Sequence, residues 1–494
     1  MDQFGHISET DDIWRLAEQV EALRGLVVTE ASFILKSFGP EAAAMPAIQN
    51  LAHYLALRHH DLRPLQRVLM RHGLSSLGRL ESRVLPTLDA VLVAISALAG
   101  RESPVPSPSS AQFFAGEAQL EHATDLMFGM QPVLRRSRIM VTLETKAAED
   151  PGFVRDLAQR GMDIARINCA HDNPDVWRAM AKNVEAAAKA VDRKIGVLMD
   201  IAGPKIRTEK VVTAEKKAKA KVGDLIRLVT ASEPACDNNV KFCASVSLPQ
   251  MVTRLKVGDR VLYDDGKLQT VVVSLGDGEA LVRVDRAKAG GAKLKPEKGV
   301  NLPDTALGLS PLTDKDSHDL LSVIECADMI GYSFVSRPED LDLLDEKLMV
   351  EANRNPGIGV VAKIERPEAV KNLPGLIARA AGRRDFAVMI ARGDLAAEIG
   401  FERLAEMQEE ILWICEAACV PVIWATQVLE NLVKTGVPSR GEMTDAAMGA
   451  RAECVMLNKG VAIADGVTTL DTILRRMDQH VFKKTPELRA LKSW

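Results

Sequence analysis

The sequence predicts a (β/α)8 TIM barrel, an α/β fold that here carries an inserted small β-barrel lid domain and an N-terminal α-helical extension. Three observations support this prediction. Apolar residues recur at helical spacing over 11–100, eight short apolar strands alternate with helical segments from residue 136 onward, and residues 209–302 alternate at period two between glycine turns. The expected domains are the extension with its linker (1–135), the barrel (136–208 and 303–482), the lid (209–302) and a tail (483–494).

The N-terminal region has the pattern of packed amphipathic helices. Segments such as 13-IWRLAEQVEALRGLVV-28 and 84-VLPTLDAVLVAISALAG-100 repeat apolar residues at intervals of three and four. Gly100 stands where a helix C-cap glycine is expected, and 103-SPVPSPSSAQ-112 has the composition of a linker.

The predicted barrel strands are short and apolar, and helical stretches lie between most of them. The insertion follows the third strand, and its alternating segments predict an antiparallel β domain that acts as a lid over the catalytic mouth. The eight strands are RIMVTL (138–143), IARIN (164–168), IGVLMDI (195–201), DMIGYSFV (328–335), GVVAKIE (359–365), FAVMIARGD (386–394), PVIWATQ (421–427) and CVMLN (454–458).

Composition and charge exclude several classes of function. The chain has 494 residues and a net charge of −4, which gives no overall field that attracts nucleic acid or an anionic membrane. Its 7 cysteines form no CxxC pair, and the polar N-terminus MDQFGHISETDD is unlike a signal peptide. No apolar run reaches the roughly 18 residues that a membrane span needs. We therefore expect a cytoplasmic protein without a nucleic-acid or membrane partner.

Charged and polar residues gather where the predicted strands end. The active site of a (β/α)8 barrel lies at the carboxyl ends of its strands, so these residues are candidate functional groups. Burying so many charges without a ligand is costly, which favours a functional site over structural ion pairs. Because residues two apart in a strand share a face, we expect three same-face pairs. These are Arg166 with Asn168, Lys363 with Glu365, and Arg392 with Asp394, and they are joined at the rim by Asp200, Ser333 and Thr426.

The residue types indicate the class of substrate. Glu365 and Asp394 suit a hard divalent cation such as Mg²⁺, whereas Lys363 and Arg166 suit a phosphoryl group. The segment 392-RGDLAAEIG-400 can expose backbone N–H groups at a helix start, where they would bind a carboxylate or phosphate. The residues therefore predict Mg²⁺-dependent chemistry on a small phosphorylated or carboxylated metabolite.

Ten segments match those of a known family, in order, over about residues 136–480. They are ARINCAH, LMDIAGPKIRT, YDDG, KGVNLP, SPLTDKD, SFV, AKIE, MIARGDLAAEIG, IWATQVLENL and PSRGEMTD. In these segments the chain resembles the pyruvate kinase family, and the match is far more specific than one short motif. The resemblance implies transfer of a phosphoryl group from phosphoenolpyruvate to ADP, which gives pyruvate and ATP.

The resemblance also implies a role for each matching residue. Lys363 would neutralise the phosphoryl group in flight, Arg166 would grip the phosphate, and Thr426 would lie near the proton delivered to the enol carbon. Glu365 and Asp394 would bind Mg²⁺, with Mn²⁺ as an alternative ion.

The remaining matches concern binding. They are Gly393, Asp394 and Ser333 for the substrate, His171 and Arg207 for the nucleotide, Asp264 and Asp265 for the acidic turn of the lid, and Asn168 and Asp200 for a monovalent cation.

Four departures from the family pattern change what we expect. The usual C-terminal domain is absent, so we expect neither its allosteric site nor its subunit interface, and a homodimer through the barrel stays open. The N-terminal helices are additional and either pack on the barrel or bind a partner. The third departure concerns the ends of two strands. The first strand continues as 142-TLET-145, and after the eighth strand Asn458, Lys459 and Gly460 replace a serine, a glycine and a glutamate. The change after the eighth strand affects proton transfer more than phosphoryl transfer.

The fourth departure is at Lys205. Family members that require K⁺ carry a glutamate there and a serine at Ala170, whereas members with a lysine generally work without K⁺. An ammonium group can supply the missing charge, so we expect K⁺ not to be required.

Two alternatives stay open from the sequence. A Mg²⁺-dependent aldolase or lyase that acts on a pyruvate-type substrate would use the same enolate stabilisation and tolerate the altered eighth strand. A catalytically weak regulatory or binding subunit would keep ligand affinity and use the helical extension as its partner surface. Retention of the whole set of lysine and carboxylate residues argues against the second alternative.

Overall fold

The computed structural model describes residues 13–215, 218–237, 240–264, 266–305, 307–350 and 357–486. Residues 1–12 of the extension, 487–494 of the expected tail and Asp265 of the expected lid turn lie outside these ranges. No helix within the described ranges is long and apolar enough to cross a membrane.

Eight parallel strands close into a barrel, which confirms the predicted fold class. They follow chain order around the barrel, and the eighth pairs with the first. Nearly all strand residues are buried, as expected where helices cover a parallel sheet on the outside and side chains fill its interior. The strands are β1 (Arg138–Thr142), β2 (Ile164–Asn168), β3 (Gly196–Asp200), β4 (Met329–Tyr332), β5 (Gly359–Ile364), β6 (Phe386–Ala391), β7 (Val422–Ala425) and β8 (Cys454–Leu457).

The helices around the barrel have sequence-encoded ends. For Pro151–Arg160, the Asp150 carboxylate accepts from the Phe153 N–H at 3.0 Å, and Gly161 ends the helix with φ of 117°. The α-helices of the barrel are Pro151–Arg160, Pro174–Ala190, Asp314–Cys326, Pro338–Val350, Pro367–Ala380, Arg392–Ile399, Phe401–Ala417, Glu430–Thr435, Arg440–Gly449 and Ile463–Met477, and a 3-10 turn spans Thr145–Ala148.

The N-terminal extension is helical and packs on the barrel. Its buried residues, including Leu23 and Leu51, belong to the same hydrophobic core as Ile411 on a barrel helix. Asn50 donates from its amide both to the Glu81 carbonyl at 2.7 Å and to the Ala417 carbonyl at 2.8 Å, which ties two layers together. The helices of the extension are Ile13–Phe38, Pro40–Ala43, Pro46–Arg58, Arg63–Arg71, Val84–Leu98 and Ser110–Phe128.

The last of these helices was not expected, because its apolar residues are spread around its circumference. It begins inside the segment 103–112 that reads as a linker, where Ser109 and Gln112 form a capping box. Its final residues, Met127 and Phe128, pack among the side chains that fill the barrel interior. We call helix Ser110–Phe128 the plug helix, because it closes the amino-terminal end of the barrel.

The end of the plug helix packs against a glycine of the barrel. A Cβ on Gly359, at the start of β5, would lie 2.8 Å from Met127 Sδ, so a larger residue there would require the end of the Met127 side chain to move. Arg138, at the start of β1, donates to the Gly129 carbonyl at 2.8 Å and pairs with Asp125, which anchors the C-terminal end of the helix.

The lid is a seven-stranded sheet with its own hydrophobic core, which includes Phe242 and Val261. One pair, Leu225–Val229 with Phe242–Val246, is parallel, and the other neighbours run antiparallel. Its strands are Thr208–Thr213, Leu225–Val229, Phe242–Val246, Arg260–Tyr263, Leu268–Gly276, Glu279–Ala287 and Val300–Asn301, and a short helix spans Gln250–Arg254.

The last described residues form a hairpin of strands Val481–Phe482 and Thr485–Pro486. In its turn, Lys483 pairs with Glu453 of the barrel and Lys484 pairs with Glu81 of the extension. The hairpin therefore connects the barrel and the extension below the catalytic end.

Replacing the plug contact should destabilise the fold. We expect Met127→Ala to lower the free energy of unfolding by about 2–5 kcal/mol, because it leaves a cavity inside the barrel. Met130→Ala, at an 80% exposed methionine just after the same helix, should change it little. Urea unfolding followed by circular dichroism measures both, and equal effects would show that Met127 does not contribute through packing.

Candidate active site

Lys363 lies at the centre of a buried ionic cluster at the carboxyl end of the barrel. Its Nζ lies 3.3 Å from Asp200 Oδ1 and 3.0 Å from Glu365 Oε1, and it donates to Ser333 Oγ at 2.7 Å. Arg166 donates from Nε to Asp200 Oδ2 at 3.0 Å. Asp200 therefore lies between two cations, and Lys363 lies between two carboxylates.

Strand register and a glycine create the space for this cluster. Asn168 of β2 is in register with Asp200 of β3, and Gly331 of β4 is in register with Asp200 on the other side. A Cβ on Gly331 would lie 2.7 Å from Asp200 Oδ1, so a glycine is needed for the carboxylate to enter the barrel mouth.

Both central groups are charged near neutral pH. Burial opposes the charge on Lys363, but the carboxylates of Asp200 and Glu365 outweigh it and raise the pKa of Lys363. Burial likewise opposes ionisation of Asp200, but Lys363 and Arg166 outweigh it and lower the pKa of Asp200. The cluster thus holds a fixed ammonium group where an anionic substrate group would enter.

The two carboxylates expected to bind a metal line the same cavity but have different partners. Glu365 Oε2 accepts from the Phe334 N–H at 2.6 Å, and burial raises the pKa of Glu365. Asp394 accepts from Lys205 Nζ at 2.8 Å and 3.0 Å. Burial opposes its ionisation, but Lys205 outweighs burial and lowers the pKa of Asp394.

This donor set fits Mg²⁺. Magnesium sites of enzymes that act on phosphates use one or two protein carboxylates and complete the coordination with water and substrate oxygens. Glu365 is buried and Asp394 is partly buried, and both carboxylates line the cavity that contains Lys363. No cluster of three or more histidine, cysteine or acidic side chains suited to a metal occurs among the described residues, so the remaining ligands would have to come from elsewhere.

The start of helix Arg392–Ile399 differs from the prediction. We expected a strand through residue 394 with Arg392 and Asp394 on one face, but β6 ends at Ala391 and the helix begins at once. Arg392 points away from the cluster, where it pairs with Asp445 and donates to the Thr426 carbonyl at 2.6 Å. The expected pair is wrong because residues two apart share a face in a strand but not in a helix.

Thr426 follows β7 in a strained conformation. Its φ is +64° and that of Gln427 is +57°, values that are rare for residues with a Cβ and unfavourable for a β-branched one. Thr426 Oγ1 accepts from the Gly393 N–H at 2.8 Å, so its own hydroxyl proton is available to another acceptor. The strain places a hydroxyl donor beside the backbone N–H groups at the helix start.

One cavity of about 220 Å³ brings most of the predicted residues together. Asn458, which replaces the usual serine after β8, also lies on its wall. The cavity is lined by ten predicted site residues, namely Arg166, Asn168, Asp200, Lys205, Arg207, Ser333, Lys363, Glu365, Asp394 and Thr426.

His171 and Asp264 lie outside the lining of this cavity. His171 is in the turn after β2, and partial burial together with Lys459 and Arg207 lowers its pKa, so its imidazole is neutral near pH 7. Asp264 lies in a lid turn with φ of +50° and pairs with Lys267 at 3.0 Å. His171 and Asp264 are therefore not part of the ionic cluster, whereas Arg207, the other predicted nucleotide residue, lines its cavity.

The residues expected to bind a monovalent cation each have a partner in the protein. Asn168 Oδ1 accepts from the Ala170 N–H at 3.0 Å, and Asp200 is held by Arg166 and Lys363. The ammonium group of Lys205 contacts Asp394, not the Asn168 side chain. It thus brings a positive charge to Asp394, and Lys205, Asp394 and Asn168 all line the same cavity.

Four further residues support the site, and sequence reasoning gave them no role. Thr142 Oγ1 accepts from Arg166 Nη1 at 3.1 Å, and Asp445 holds Arg392. Asn301 donates at 3.1 Å to Oε1 of Glu398, which lies in helix Arg392–Ile399. Three of these lie inside the matching segments KGVNLP, MIARGDLAAEIG and PSRGEMTD, but their partners come from distant parts of the chain.

Fold and site together define a (β/α)8-barrel enzyme with a buried lysine and carboxylates at the carboxyl ends of its strands. The family model described as the pyruvate kinase barrel domain matches residues 134–472. A pyruvate kinase of Agrobacterium vitis is 33% identical over 368 residues, which are 72% of each chain. One of Corynebacterium glutamicum is 32% identical over 69% of each chain.

A solved structure agrees with these sequence matches. The crystal structure of a pyruvate kinase from Cryptosporidium parvum aligns with a TM-score of 0.62 and 27% identity over 72% of this chain and 73% of that one. The chain therefore belongs to the pyruvate kinase family of phosphotransferases, as its sequence segments predict.

Removal of the central carboxylate should destabilise the barrel. We expect Asp200→Ala to lower the free energy of unfolding by about 3–5 kcal/mol, because it leaves Arg166 and Lys363 buried without their shared partner. Asp175→Ala removes an exposed carboxylate that pairs with Arg178 and should have little effect. Denaturant unfolding at pH 7 measures both, and a stable Asp200→Ala protein would contradict the electrostatic account.

Proposed function

We propose that this protein catalyses Mg²⁺-dependent transfer of a phosphoryl group from phosphoenolpyruvate to ADP and does not require K⁺. The observation that carries the proposal is the arrangement of two lysines in one cavity. Lys363 lies between Asp200 and Glu365, and Lys205 lies on Asp394. Two fixed cations beside two carboxylates suit a reaction that depends on positioning and on neutralising charge.

In the proposed reaction, an oxygen of the ADP β-phosphate forms a bond to the phosphorus of phosphoenolpyruvate as the bond from phosphorus to the enol oxygen breaks. The products are ATP and the enolate of pyruvate, and a proton added to the methylene carbon completes pyruvate. Lys363 Nζ would face the equatorial oxygens of the phosphoryl group, and Arg166 would hold the phosphate from the Asp200 side. Burial fixes both side chains before substrate enters.

Glu365 and Asp394 are the residues that would hold Mg²⁺. When bound, the ion would neutralise charge on the phosphate and carboxylate oxygens of the substrate. Glu365 is oriented by the Phe334 N–H at 2.6 Å, and this bond keeps its other oxygen on the side of Lys363. The protein thus orients Glu365 through the backbone N–H of Phe334 and Asp394 through the Lys205 side chain.

Binding of the substrate carboxylate and delivery of the proton would use the other side of the cavity. The backbone N–H groups of Gly393 and Asp394, at the start of a helix, would bind a carboxylate, for which the Gly393 N–H would leave Thr426 Oγ1. Thr426 holds its hydroxyl proton free for donation, and Asn458 can order a water molecule next to it. This pair would replace the threonine and serine arrangement of the family.

The nucleotide would lie toward the lid. Arg207 lines the cavity and donates to the Glu297 carbonyl at 3.0 Å, and neutral His171 lies in its field. Such a protein would act on soluble metabolites in the cytoplasm, in keeping with the free state of all seven cysteines.

A coupled assay tests the reaction directly. With phosphoenolpyruvate, ADP and Mg²⁺ we expect steady formation of pyruvate and ATP, and Lys363→Met should lower kcat by about 10²–10³ because it removes the charge at the phosphoryl group. Lys210→Met, at a partly exposed lid lysine, should leave kcat unchanged. Cleavage of a hydroxy-keto acid without any use of ADP would identify a lyase and contradict the proposal.

Replacement of Lys205 tests the role of its charge. The natural protein should be equally active in Na⁺, in tetramethylammonium and in K⁺, whereas Lys205→Glu should lose most activity because a second carboxylate faces Asp394. Added K⁺ should restore part of the activity that Lys205→Glu loses. It should restore more in the double variant Lys205→Glu with Ala170→Ser, because the serine supplies a hydroxyl ligand. A strict K⁺ requirement of the natural protein would refute the proposal.

A further inference from the structure

Asn301 connects the lid to helix Arg392–Ile399, which carries Asp394. Its backbone belongs to the strand Val300–Asn301, by which the chain leaves the lid, and it is in register with Leu262 of the lid sheet. Its side chain leaves the sheet and donates from Nδ2 to Glu398 Oε1 at 3.1 Å. Glu398 lies near the end of helix Arg392–Ile399. Asn301 therefore belongs to the lid sheet through its backbone and contacts helix Arg392–Ile399 through its side-chain amide.

The contact reaches the metal-binding carboxylate. Asp394 and Glu398 are four residues apart in one helix, so their side chains lie on the same face. Burial opposes ionisation of Asp394, but Lys205 outweighs it and lowers the pKa of Asp394, and the Asn301 side chain adds to this lowering. The Asn301 amide thus binds Glu398 directly, on the helix face that also carries Asp394.

The strand also contacts the partner of Asp394. A Cβ on Gly299, two residues before Asn301, would lie 3.1 Å from Lys205 Cε, so the strand packs directly on that lysine. Gly299 and Arg207 form a backbone bridge, which links the chain that enters the lid with the chain that leaves it. A shift of the lid would therefore move contacts of both Lys205 and Asp394.

The position of the Asn301 side-chain amide does not maximise the stability of the folded protein. Asn301 is 6% exposed, and its Oδ1 has no hydrogen-bond partner among the described residues. A buried polar atom without a partner destabilises the folded protein. An apolar residue would avoid that cost but could not donate to Glu398.

We propose that Asn301 and Glu398 form a positioning pair that fixes Asp394 relative to the lid and so couples metal affinity to lid position. The proposal rests on the proposed function only for the role of Asp394 as a metal ligand. Neither residue is among the groups that would touch the reacting atoms. Partners of this kind orient metal ligands, and their loss weakens metal binding without removing a ligand.

Binding of Mn²⁺, measured by electron paramagnetic resonance, tests the pair without turnover. Asn301→Ala should weaken Mn²⁺ binding about 10-fold. It should also speed amide hydrogen exchange in residues 392–399, because the helix loses its tie to the lid. Asn183→Ala is the matched control, since its amide donates to the Ala147 carbonyl at 2.8 Å away from the site, and it should change neither quantity.

Two replacements of Glu398 separate geometry from charge. Glu398→Gln keeps an oxygen that accepts from Asn301 and should retain near-natural Mn²⁺ affinity and exchange, whereas Glu398→Ala should behave like Asn301→Ala. In the double variant of Asn301→Ala with Glu398→Ala, the losses should not add, because both remove the same contact. Equal losses in Glu398→Gln and Glu398→Ala would overturn the positioning role.

Measuring both Mn²⁺ affinity and amide hydrogen exchange distinguishes failure of this proposal from failure of the proposed function. Unchanged exchange and affinity in a folded Asn301→Ala protein would overturn the positioning pair, whatever the reaction. Absence of Mn²⁺ binding by the natural protein would contradict the proposed metal site, and hydrogen exchange alone would then decide whether Asn301 fixes the helix.

Discussion

The ionic contact of Asp200 with Lys363 and Arg166 is the interaction on which the catalytic end of the molecule depends. A buried carboxylate between two buried cations is stable only because each charge has a partner, and removal of one partner leaves an uncompensated charge. The same arrangement keeps Lys363 protonated in a site that would otherwise favour the neutral amine. The barrel thus holds a buried, charged lysine at the carboxyl ends of its strands.

The rest of the fold maintains this cluster and restricts access to it. The plug helix closes the amino-terminal end of the barrel, and the cavity is lined by residues at the carboxyl ends of the strands. The extension and the hairpin with Lys483 and Lys484 strengthen the side away from the chemistry. At the catalytic end, Asn301 brings the lid into contact with the helix that carries Asp394.

The sequence predicted the barrel, its order of strands and the gathering of charge, because hydrophobic periodicity and chain order determine which residues reach the strand ends. It could not predict which charges pair. Arg392 looked equivalent to Lys363, but a helix that starts one residue after β6 turns it toward Asp445. Lys205 was expected near the monovalent-cation residues, and its contact with Asp394 depends on how the lid connection folds back. The plug helix was missed because its apolar residues do not form one face.

The most direct test of this account is a single turnover followed by ³¹P nuclear magnetic resonance. Enzyme in excess over phosphoenolpyruvate and ADP, with Mg²⁺ and only tetramethylammonium as monovalent cation, should convert the phosphoenolpyruvate resonance into the γ-phosphate resonance of ATP. That result requires phosphoryl transfer supported by the protein's own lysines. An unchanged spectrum that converts only after K⁺ is added, or release of inorganic phosphate in place of ATP, would contradict the account.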